Sequence, residues 1–248
     1  MRIAIISDIH GNSIALPEVV KDIRNRGADT IINLGDSLYG PLDPKGTYEL
    51  LVSNDIISLS GNEDRIILEN LNKESDSETL EYVKSQIDNP IIEWLKSLPF
   101  HIVTDWDMYC CHGTPQSDTD YLLEKLVHDC ISIREMHEID KLLTNIIQNI
   151  VVCGHSHISN IVETNCRLIV NPGSLGLPAY NDDVPIFHRM QNYNPRANYA
   201  ILNINGNSKS VERFSIDYDY RQAATLAMKN NRSDWAEWIK TGRAKNPQ

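Results

Sequence analysis

Five short apolar runs, each closed by Gly or by a polar residue, constrain the fold of this chain more than any other feature. They cover residues 3–7, 31–34, 56–60, 108–111 and 150–153. Each run is short and rich in β-branched residues, which is typical of buried strands in a layered α/β fold. In such folds, functional groups gather just beyond the carboxyl ends of the strands. The sequence therefore predicts that the residues following these runs meet in one cleft.

The residues that follow the five runs are of metal-binding types. They comprise two aspartates, one asparagine and four histidines: Asp8, His10, Asp36, Asn62, His112, His155 and His157. A mixed set of nitrogen and oxygen ligands without thiolates suits Mn, Fe, Zn or Ni. Two such ions about 4 Å apart need a bridging carboxylate, and they can hold a hydroxide between them for in-line attack on phosphorus.

The spacing of the candidate ligands supports this interpretation. Asp8 and His10 are separated by one residue, and so are His155 and His157. Residues i and i+2 of an extended strand face the same side, so we expect each pair to point into one site. Each motif alone is weak evidence, because Gly-Asp and Gly-Asn dipeptides are common in ordinary turns. The occurrence of all five clusters in order, each after a strand-like run, favours a metal site.

Composition limits the class of partner. The chain has 248 residues, 41% of them apolar, with 23 basic and 34 acidic residues and a net charge of −11. This length fits one large α/β domain with a modest insertion. The acidic balance argues against nucleic-acid binding, which needs a basic face, whereas bound divalent cations would still attract a small phosphorylated substrate. An assembly of identical chains is left open.

Hydropathy and cysteine usage favour a cytoplasmic protein. The apolar runs are much shorter than the roughly 20 residues of a membrane span, and the chain begins with strand residues directly after Met1-Arg2, so we expect no signal peptide. The five cysteines lack the spacing of a disulfide framework. Cys110 and Cys111 are adjacent on a predicted strand and should point to opposite faces of the sheet.

Periodicity and turn residues predict the remaining elements. We expect helices over residues 12–26, 47–54 and 132–149 and a helical insertion at about 72–98 that breaks at Asn89-Pro90. A C-terminal amphipathic helix is predicted at about 220–240, with Trp235 and Trp238 docking it onto the core and binding no ligand. Strands are predicted over 101–104 and 107–111 as a hairpin, and over 161–163, 167–170, 199–205 and 210–216, with Asn205-Gly206-Asn207 as a hairpin turn. Residues 177–196 show no periodicity, and we expect them to form either a loop over the cleft that selects substrate or a surface loop or oligomer contact.

The ordered motifs resemble those of the calcineurin-like metallophosphoesterases. The resemblance runs from Arg2 to about Ile216 and rests on Asp8-Ile9-His10, Gly35-Asp36, Gly61-Asn62, His112-Gly113 and Gly154-His155-Ser156-His157. The segment Asn171-Pro172-Gly173-Ser174 and the later Asn-Tyr-Ala strand are similar to compact prokaryotic members related to diadenosine tetraphosphatase and serine/threonine phosphatases. The resemblance implies a four-layer α/β/β/α sandwich, with two mixed β-sheets flanked by helices.

The resemblance also implies roles for individual residues. Asp8, His10, Asp36 and His157 would hold a first metal ion, and Asp36 would bridge to a second ion that Asn62, His112 and His155 complete. Asp36, Asn62 and His112 are the predicted catalytic residues. Arg65, Asn171 and Ser174 are candidate substrate contacts, although Arg65 could equally form a structural ion pair. The implied cofactors are two divalent ions, with Mn preferred over Fe, Zn or Ni. The implied reaction is hydrolysis of a small phosphorylated substrate by a metal-bridging hydroxide.

One residue departs from the pattern. Protein phosphatases of this family carry His directly after Gly-Asn, whereas this chain has Glu63. An ionised carboxylate is a poor proton donor, so we expect a preference for diesters or other esters with good leaving groups. A catalytically weak scaffold and a nuclease are the alternatives; the seven intact ligand positions oppose the first and the acidic composition opposes the second. His101, His128, His137 and His188 lack motif context and are not expected to bind metal.

Overall fold

The computed structural model describes residues 1–127, 130–206 and 208–244. The helices are α1 Ala15–Asn25, α2 Pro44–Ser53, α3 Asn62–Glu69, α4 Glu78–Gln86, α5 Asn89–Ser97, α6 Met136–Leu142, α7 Tyr220–Lys229 and α8 Ser233–Thr241. The strands are β1 Arg2–Ile6, β2 Thr30–Asn33, β3 Ile57–Ser58, β4 His101–Thr104, β5 Met108–Cys111, β6 Glu124–Val127, β7 Cys130–Ile133, β8 Ile150–Val152, β9 Asn160–Glu163, β10 Leu168–Asn171, β11 Ala179–Asp182, β12 His188–Gln191, β13 Ala197–Asn205 and β14 Ser208–Ile216.

Two five-stranded mixed sheets form the centre of the fold. The first has the order β14-β13-β1-β2-β3, in which β1, β2 and β3 run parallel and β13 and β14 are antiparallel additions. The second has the order β4-β5-β8-β10-β9, with a parallel centre and one antiparallel strand at each edge. All five predicted runs coincide with strands of these two sheets, so their ends come to one side of the molecule.

The alternation of side chains along the strands builds the layers. In β1, Ile3 and Ile5 pack between the two sheets, whereas Ala4 and Ile6 face the helices of the outer layer. In β5, Cys110 lies between the sheets and Cys111 packs on the opposite face, beneath α6. Because successive side chains of a strand point to opposite faces, one short run can serve two cores. The predicted α/β sandwich of two mixed sheets flanked by helices is confirmed, and so is the placement of the two cysteines.

Two predicted segments contain strands that the sequence pattern did not reveal. The segment 177–196 contains the antiparallel pair β11–β12 in place of an irregular loop. The segment 132–149 begins within β7, which pairs with β6, and α6 covers only its middle part. These strands have four residues each, which is too short for a period to stand out. Ile131 and Ile133 have the two-residue spacing of a strand, whereas Ile139 and Leu143 have the four-residue spacing of a helix and share one core.

The predicted C-terminal helix at about 220–240 is divided into α7 and α8. Asn231 adopts a left-handed backbone (φ 62°), which an asparagine tolerates better than most residues. The side-chain amide of Asn230 donates to the carbonyl of Pro41 at 2.7 Å. The break therefore redirects the chain, and α8 lies against the loop that follows β2. The predicted insertion forms α4 and α5, with the expected break before Asn89.

Asparagines stand at the start of α1 and at the predicted hairpin turn. Asn12 caps α1, because its Oδ1 accepts from the backbone N–H of Ala15 at 3.0 Å. Asn205 pairs with Ser208 across the predicted hairpin turn, and Gly206 has a φ of 57°; Asn207 lies outside the described residues. None of the described helices is long and apolar enough to cross a bilayer.

Candidate metal centre

Left-handed backbone turns aim the candidate ligands into one cleft. Five of the seven have positive φ angles between 50° and 66°: Asp8, His10, Asp36, His155 and His157. The prediction that each pair converges because it continues an extended strand is therefore wrong in its geometry. The chain turns just beyond the strand, and the intervening Ile9 and Ser156 are buried in the protein. Non-glycine residues in this conformation cluster at functional sites.

The first group of ligand atoms comes from Asp8, His10 and His157. The Nε2 atoms of His10 and His157 lie 3.0 Å apart, and Oδ1 of Asp8 lies 3.4 Å from the Nε2 atom of His157. All three side chains are buried. Among the described residues, Oδ1 of Asp8 has no hydrogen-bond partner. A buried carboxylate oxygen in that state fits a site that receives a cation.

The second group comes from Asp36, His112, His155 and Asn62. The Nε2 atom of His112 lies 3.3 Å from Oδ2 of Asp36 and 3.0 Å from Oδ1 of Asn62. The ring of His155 is tilted against that of His112, with centroids 5.0 Å apart. Asp36 also belongs to a group of potential ligand atoms with His10. It is therefore the carboxylate shared between the two halves of the centre.

Backbone carbonyls determine which ring nitrogen of each histidine faces the centre. One ring nitrogen of every candidate histidine lies within 3.0 Å of a backbone carbonyl oxygen, which can only accept a hydrogen bond. The contacts are His10 Nδ1 to the carbonyl of Tyr39, His112 Nδ1 to that of Leu34, His157 Nδ1 to that of Leu177, and His155 Nε2 to that of Thr119. The opposite nitrogen is thereby directed to the cleft. Such partners fix tautomer and ring orientation in metal sites. The donor set fits two divalent cations.

The charges of the centre shift its pKa values strongly. Burial alone would lower the pKa of His112, but the carboxylates of Asp36 and Asp8 overcome it and raise that pKa to about 10. Burial also opposes charge on His10, yet Glu63 and Asp36 raise its pKa to about 9. Burial and the nearby His112 lower the pKa of His155 to about 4. The metal-free centre therefore holds protons on His10 and His112 at neutral pH.

A cavity of about 360 Å³ opens beside these residues. One side is formed by candidate ligands and by Glu63. The β11–α8 wall of the cavity comes from Tyr180 and its neighbours on β11 and from α8 and the residue before it, which contribute Arg232, Asp234, Trp235 and Trp238. Trp235 packs edge-on against His10, with ring centroids 5.7 Å apart. The volume lies in the range of small-molecule sites.

The structure gives the three predicted substrate contacts other partners. Asn171 is buried and its amide donates to the carbonyl of Gly154 and to Ser156 Oγ. Ser174 is buried and its hydroxyl donates to the carbonyl of Asp8. Because their polar atoms hold the turns that carry the ligands, the expected substrate contact of these two is corrected to a positioning role.

Arg65 forms the structural ion pair that was the alternative to a substrate contact. Its Nε and Nη2 atoms contact Asp118 at 2.7 and 3.0 Å, and Nη1 contacts Glu69 at 3.2 Å. These carboxylates occupy the guanidinium, and Arg65 is not among the residues that line the cavity.

The other described histidines, His101, His137 and His188, belong to neither ligand group. His188 is buried and its Nε2 atom contacts the hydroxyl of Tyr121 at 2.8 Å. His101 stacks on Tyr109, and His137 is exposed. His128 lies outside the described residues. Sequence reasoning missed Arg232 as a cavity residue and assigned Trp235 and Trp238 only to helix docking, because no local pattern places α8 beside the strand ends.

The chain is similar to known proteins in both sequence and structure. Residues 1–206 match the calcineurin-like phosphoesterase superfamily domain. An uncharacterized protein, MJ0912 of Methanocaldococcus jannaschii, is 27% identical over 94% of both chains. A metallophosphoesterase from Sphaerobacter thermophilus has a similar structure, with a TM-score of 0.75 and 20% identity over 98% of this chain and 99% of that one. Hypothetical protein PH1004 from Pyrococcus horikoshii OT3 has a TM-score of 0.74 and 15% identity over the same shares. The two structural likenesses show a shared fold.

Proposed function

Because the chain belongs to the calcineurin-like phosphoesterase superfamily and is therefore a metal-dependent phosphate-ester hydrolase, we propose that it hydrolyses small phosphodiesters at a centre of two divalent ions. The observation that carries this proposal is the shared position of Asp36. Its carboxylate belongs to a group of potential ligand atoms with His112 and His155, and to another with His10. A carboxylate in that position suits the bridge of a two-metal site.

The proposed ligands divide into two sets. Asp8, His10 and His157 would hold the first ion, Asn62, His112 and His155 the second, and Asp36 both. The bound ions would supply Lewis acidity toward the phosphoryl oxygens and a water molecule of lowered pKa. Mn is the preferred ion, because carboxylate and amide oxygens add hard ligands to the imidazoles. Fe, Zn and Ni remain alternatives within the same donor set.

The protein's own groups would orient the reaction. The carbonyls that contact the histidine rings keep the metal-facing nitrogens free of protons once the centre is loaded. Burial of Asp8 and Asp36 keeps bulk water from competing for their oxygens. The N–H of Glu63 donates to Oδ1 of Asp36 at 2.8 Å and so restrains the proposed bridging carboxylate. These contacts hold the reacting groups in place before substrate enters.

Glu63 supports the preference for diesters. Its side chain lines the cavity beside His10 and Asp36. Three carboxylates would leave a net charge of about +1 on a centre that holds two divalent ions. A diester monoanion suits that charge better than a monoester dianion. An ionised Glu63 also cannot deliver a proton to an alkoxide leaving group, a contribution worth about 10²–10⁴-fold where a general acid is present.

The β11–α8 wall of the cavity supports a role in substrate selection. Tyr180, Trp235 and Trp238 offer aromatic surface, and Asn181 and Asp182 offer hydrogen-bonding groups at β11. The β11–β12 hairpin replaces the expected irregular loop but occupies the expected place beside the cleft. Substrate groups beyond the scissile phosphate would contact this wall.

Hydrolysis of two aryl esters tests the proposal. With saturating Mn, bis(p-nitrophenyl) phosphate should be hydrolysed faster than p-nitrophenyl phosphate, and Glu63→Gln should raise the monoester rate relative to the diester rate. Glu69→Gln makes the same charge change on the exposed end of α3 and should leave the ratio unchanged. An unchanged ratio in Glu63→Gln would contradict the diester proposal. A wild-type protein that binds two ions and hydrolyses neither ester would instead favour the scaffold alternative.

A further inference from the structure

Two tyrosine rings pack against the candidate ligands of the His155-Ser156-His157 turn. Tyr121 is buried and stacks on the imidazole of His155, with ring centroids 4.8 Å apart and an angle of 26° between the ring planes. Tyr180 packs edge-on against the imidazole of His157, with ring centroids 4.5 Å apart. The two tyrosines therefore restrict the rotation of both imidazoles about their side-chain bonds.

The loop that carries Tyr121 holds the edge of the His155 ring as well as its face. The carbonyl of Thr119, two residues before Tyr121, contacts Nε2 of His155 at 3.0 Å. Arg134 holds the backbone of this loop, because its Nε and Nη2 atoms both contact the Tyr121 carbonyl at 3.3 Å. An imidazole that is fixed at its face and at one nitrogen presents its other nitrogen in one direction. Displacement of Tyr121 should therefore disturb His155 as a metal ligand.

Hydrogen bonds join the two tyrosines to the β11–β12 hairpin. The hydroxyl oxygens of Tyr121 and Tyr180 lie 2.7 Å apart, and Nε2 of His188 lies 2.8 Å from the Tyr121 hydroxyl. Tyr180 belongs to β11, and the fully buried His188 belongs to β12. The Tyr180 hydroxyl also lies 3.2 Å from the carbonyl of His155. The hydroxyl of Tyr121 thus contacts side chains from both strands of the hairpin.

The direction of these hydrogen bonds follows from the carbonyl of Ile186. This oxygen lies 2.8 Å from Nδ1 of His188 and can only accept, so a neutral His188 carries its proton on Nδ1. Nε2 of His188 is then an acceptor, and Tyr121 donates to it. Because a hydroxyl has one hydrogen, the Tyr121 oxygen accepts from Tyr180. Tyr121 is therefore the central member, a donor to one neighbour and an acceptor from the other.

We propose that Tyr121 and Tyr180 are positioning residues for the candidate ligands His155 and His157, and that His188 fixes both tyrosines to the β11–β12 hairpin. This assignment rests on the proposed two-metal centre. Tyr180 also lines the cavity, so the same hydrogen-bonded side chains join the ligand turn to the β11–α8 wall.

Calorimetric titration of the metal-free protein with Mn tests the assignment. Loss of a group that orients a ligand lowers metal affinity by about 10–100-fold. Tyr121→Phe keeps the ring and removes the central hydroxyl, so at least one Mn-binding step should weaken by about 10-fold. Tyr180→Phe should have a smaller effect, because the bond from Tyr121 to His188 is retained. The double variant should lose less than the product of the two single losses, since both substitutions remove the same hydrogen bond.

A matched control separates positioning from a loss of stability. Tyr82→Phe removes a partly buried hydroxyl that donates to the carbonyl of Leu42 at 2.6 Å, and Tyr82 does not line the cavity. Chemical denaturation should show that Tyr82→Phe and Tyr121→Phe are both less stable than the wild type. Mn affinity and the visible absorption of the Co(II)-loaded protein should change only in Tyr121→Phe.

Substitution of His188 tests the far end of the hydrogen-bonded chain. His188→Leu removes the acceptor of the Tyr121 hydroxyl and should weaken Mn binding about as much as Tyr121→Phe does. His188→Gln supplies an amide oxygen that can accept from Tyr121, so its Mn affinity should lie closer to that of the wild type.

Wild-type Mn affinity together with an unaltered Co(II) spectrum in Tyr121→Phe would overturn the assignment. Equal losses of Mn affinity in Tyr121→Phe and Tyr82→Phe would also overturn it, because they would trace the effect to stability alone. Far-UV circular dichroism of the metal-free variants checks folding, and the Tyr→Phe variants carry the test if His188→Leu does not fold. The titrations use no substrate, so their outcome is independent of whether diesters are hydrolysed.

Discussion

Loading the metal-free protein with Mn should release protons from the centre. The pKa of His10 is raised to about 9 and that of His112 to about 10, because nearby carboxylates outweigh the effect of burial. At about pH 8 both imidazoles therefore carry a second proton, on a nitrogen that would bind metal. A metal ion can bind only the unprotonated nitrogen. Each binding event must then displace one of these protons.

The magnitude follows from the two raised pKa values. About two protons should leave per chain at about pH 8, where Glu63, whose pKa is raised to about 7 chiefly by burial, is already mostly ionised. Below the pKa of His10, the product of the two metal affinities should rise about 100-fold per pH unit, since two protons compete with two ions. The metal affinity therefore increases with pH. It levels off above about pH 10, where both imidazoles have already lost their second proton.

Calorimetric titration in buffers of different ionisation enthalpy measures the released protons directly. The slope of apparent binding enthalpy against buffer ionisation enthalpy gives their number. His112→Asn should reduce the release to about one proton, because only His10 would remain to be deprotonated. A slope of zero for the wild type, with two ions bound, would refute the reasoning, since it would mean that both histidines are already neutral.

Three further predictions concern the bridge, the cavity wall and the turn beneath the centre. Asp36→Asn should bind fewer than two ions per chain by elemental analysis and lose nearly all activity; two bound ions with full activity would contradict the bridging role. Replacing residues 183–187 by a short Gly-Ser turn should change relative rates within a panel of nucleotide and aryl esters while metal content is unchanged, and identical relative rates would remove the hairpin from substrate selection. Gly176→Ala should lower the free energy of unfolding by about 1–3 kcal/mol, because its added methyl would overlap the carbonyl of Ile9; chemical denaturation equal to wild type would refute this contact.

The convergence of the candidate ligands was predictable from sequence because a local motif marks each position. A short β-branched run followed by Asp-x-His or Gly-His-x-His combines a strand with its end, and parallel strands bring their ends to one edge. The metal-facing nitrogens were not predictable. They are set by backbone carbonyls of residues such as Tyr39, Thr119 and Leu177. Any residue can supply a carbonyl, so no side-chain pattern marks these positions.

The β11–α8 wall of the cavity was also not predictable from local sequence patterns. Trp235 lies more than 200 residues after His10 in the chain, and the two meet only because Asn231 turns α8 back toward the strand ends. The amphipathic pattern of the C-terminal segment predicted burial of the tryptophans correctly, but burial against the outer core and burial beside a cavity give the same pattern. The family match ends at residue 206, so the α8 part of this wall lies beyond the matched residues, whereas β11 lies within them.

The left-handed turns suggest that the centre is organised by the fold before metal binds. A left-handed backbone costs a non-glycine residue roughly 1–2 kcal/mol, and such costs persist only where surrounding contacts compensate them. Hydrogen bonds provide this compensation. The N–H of Asp8 donates to the carbonyl of Gly35 at 3.1 Å, and the N–H of His10 donates to the carbonyl of Asp36 at 3.0 Å. The N–H of His155 donates to the Asp8 carboxylate at 3.2 Å. These bonds join the turns that follow β1, β2 and β8, and so connect the two sheets, without using the ring nitrogens that face the cleft. The ligands can therefore stay aimed at the centre when metal is removed, so that chelation should abolish activity while leaving the far-UV circular dichroism spectrum unchanged.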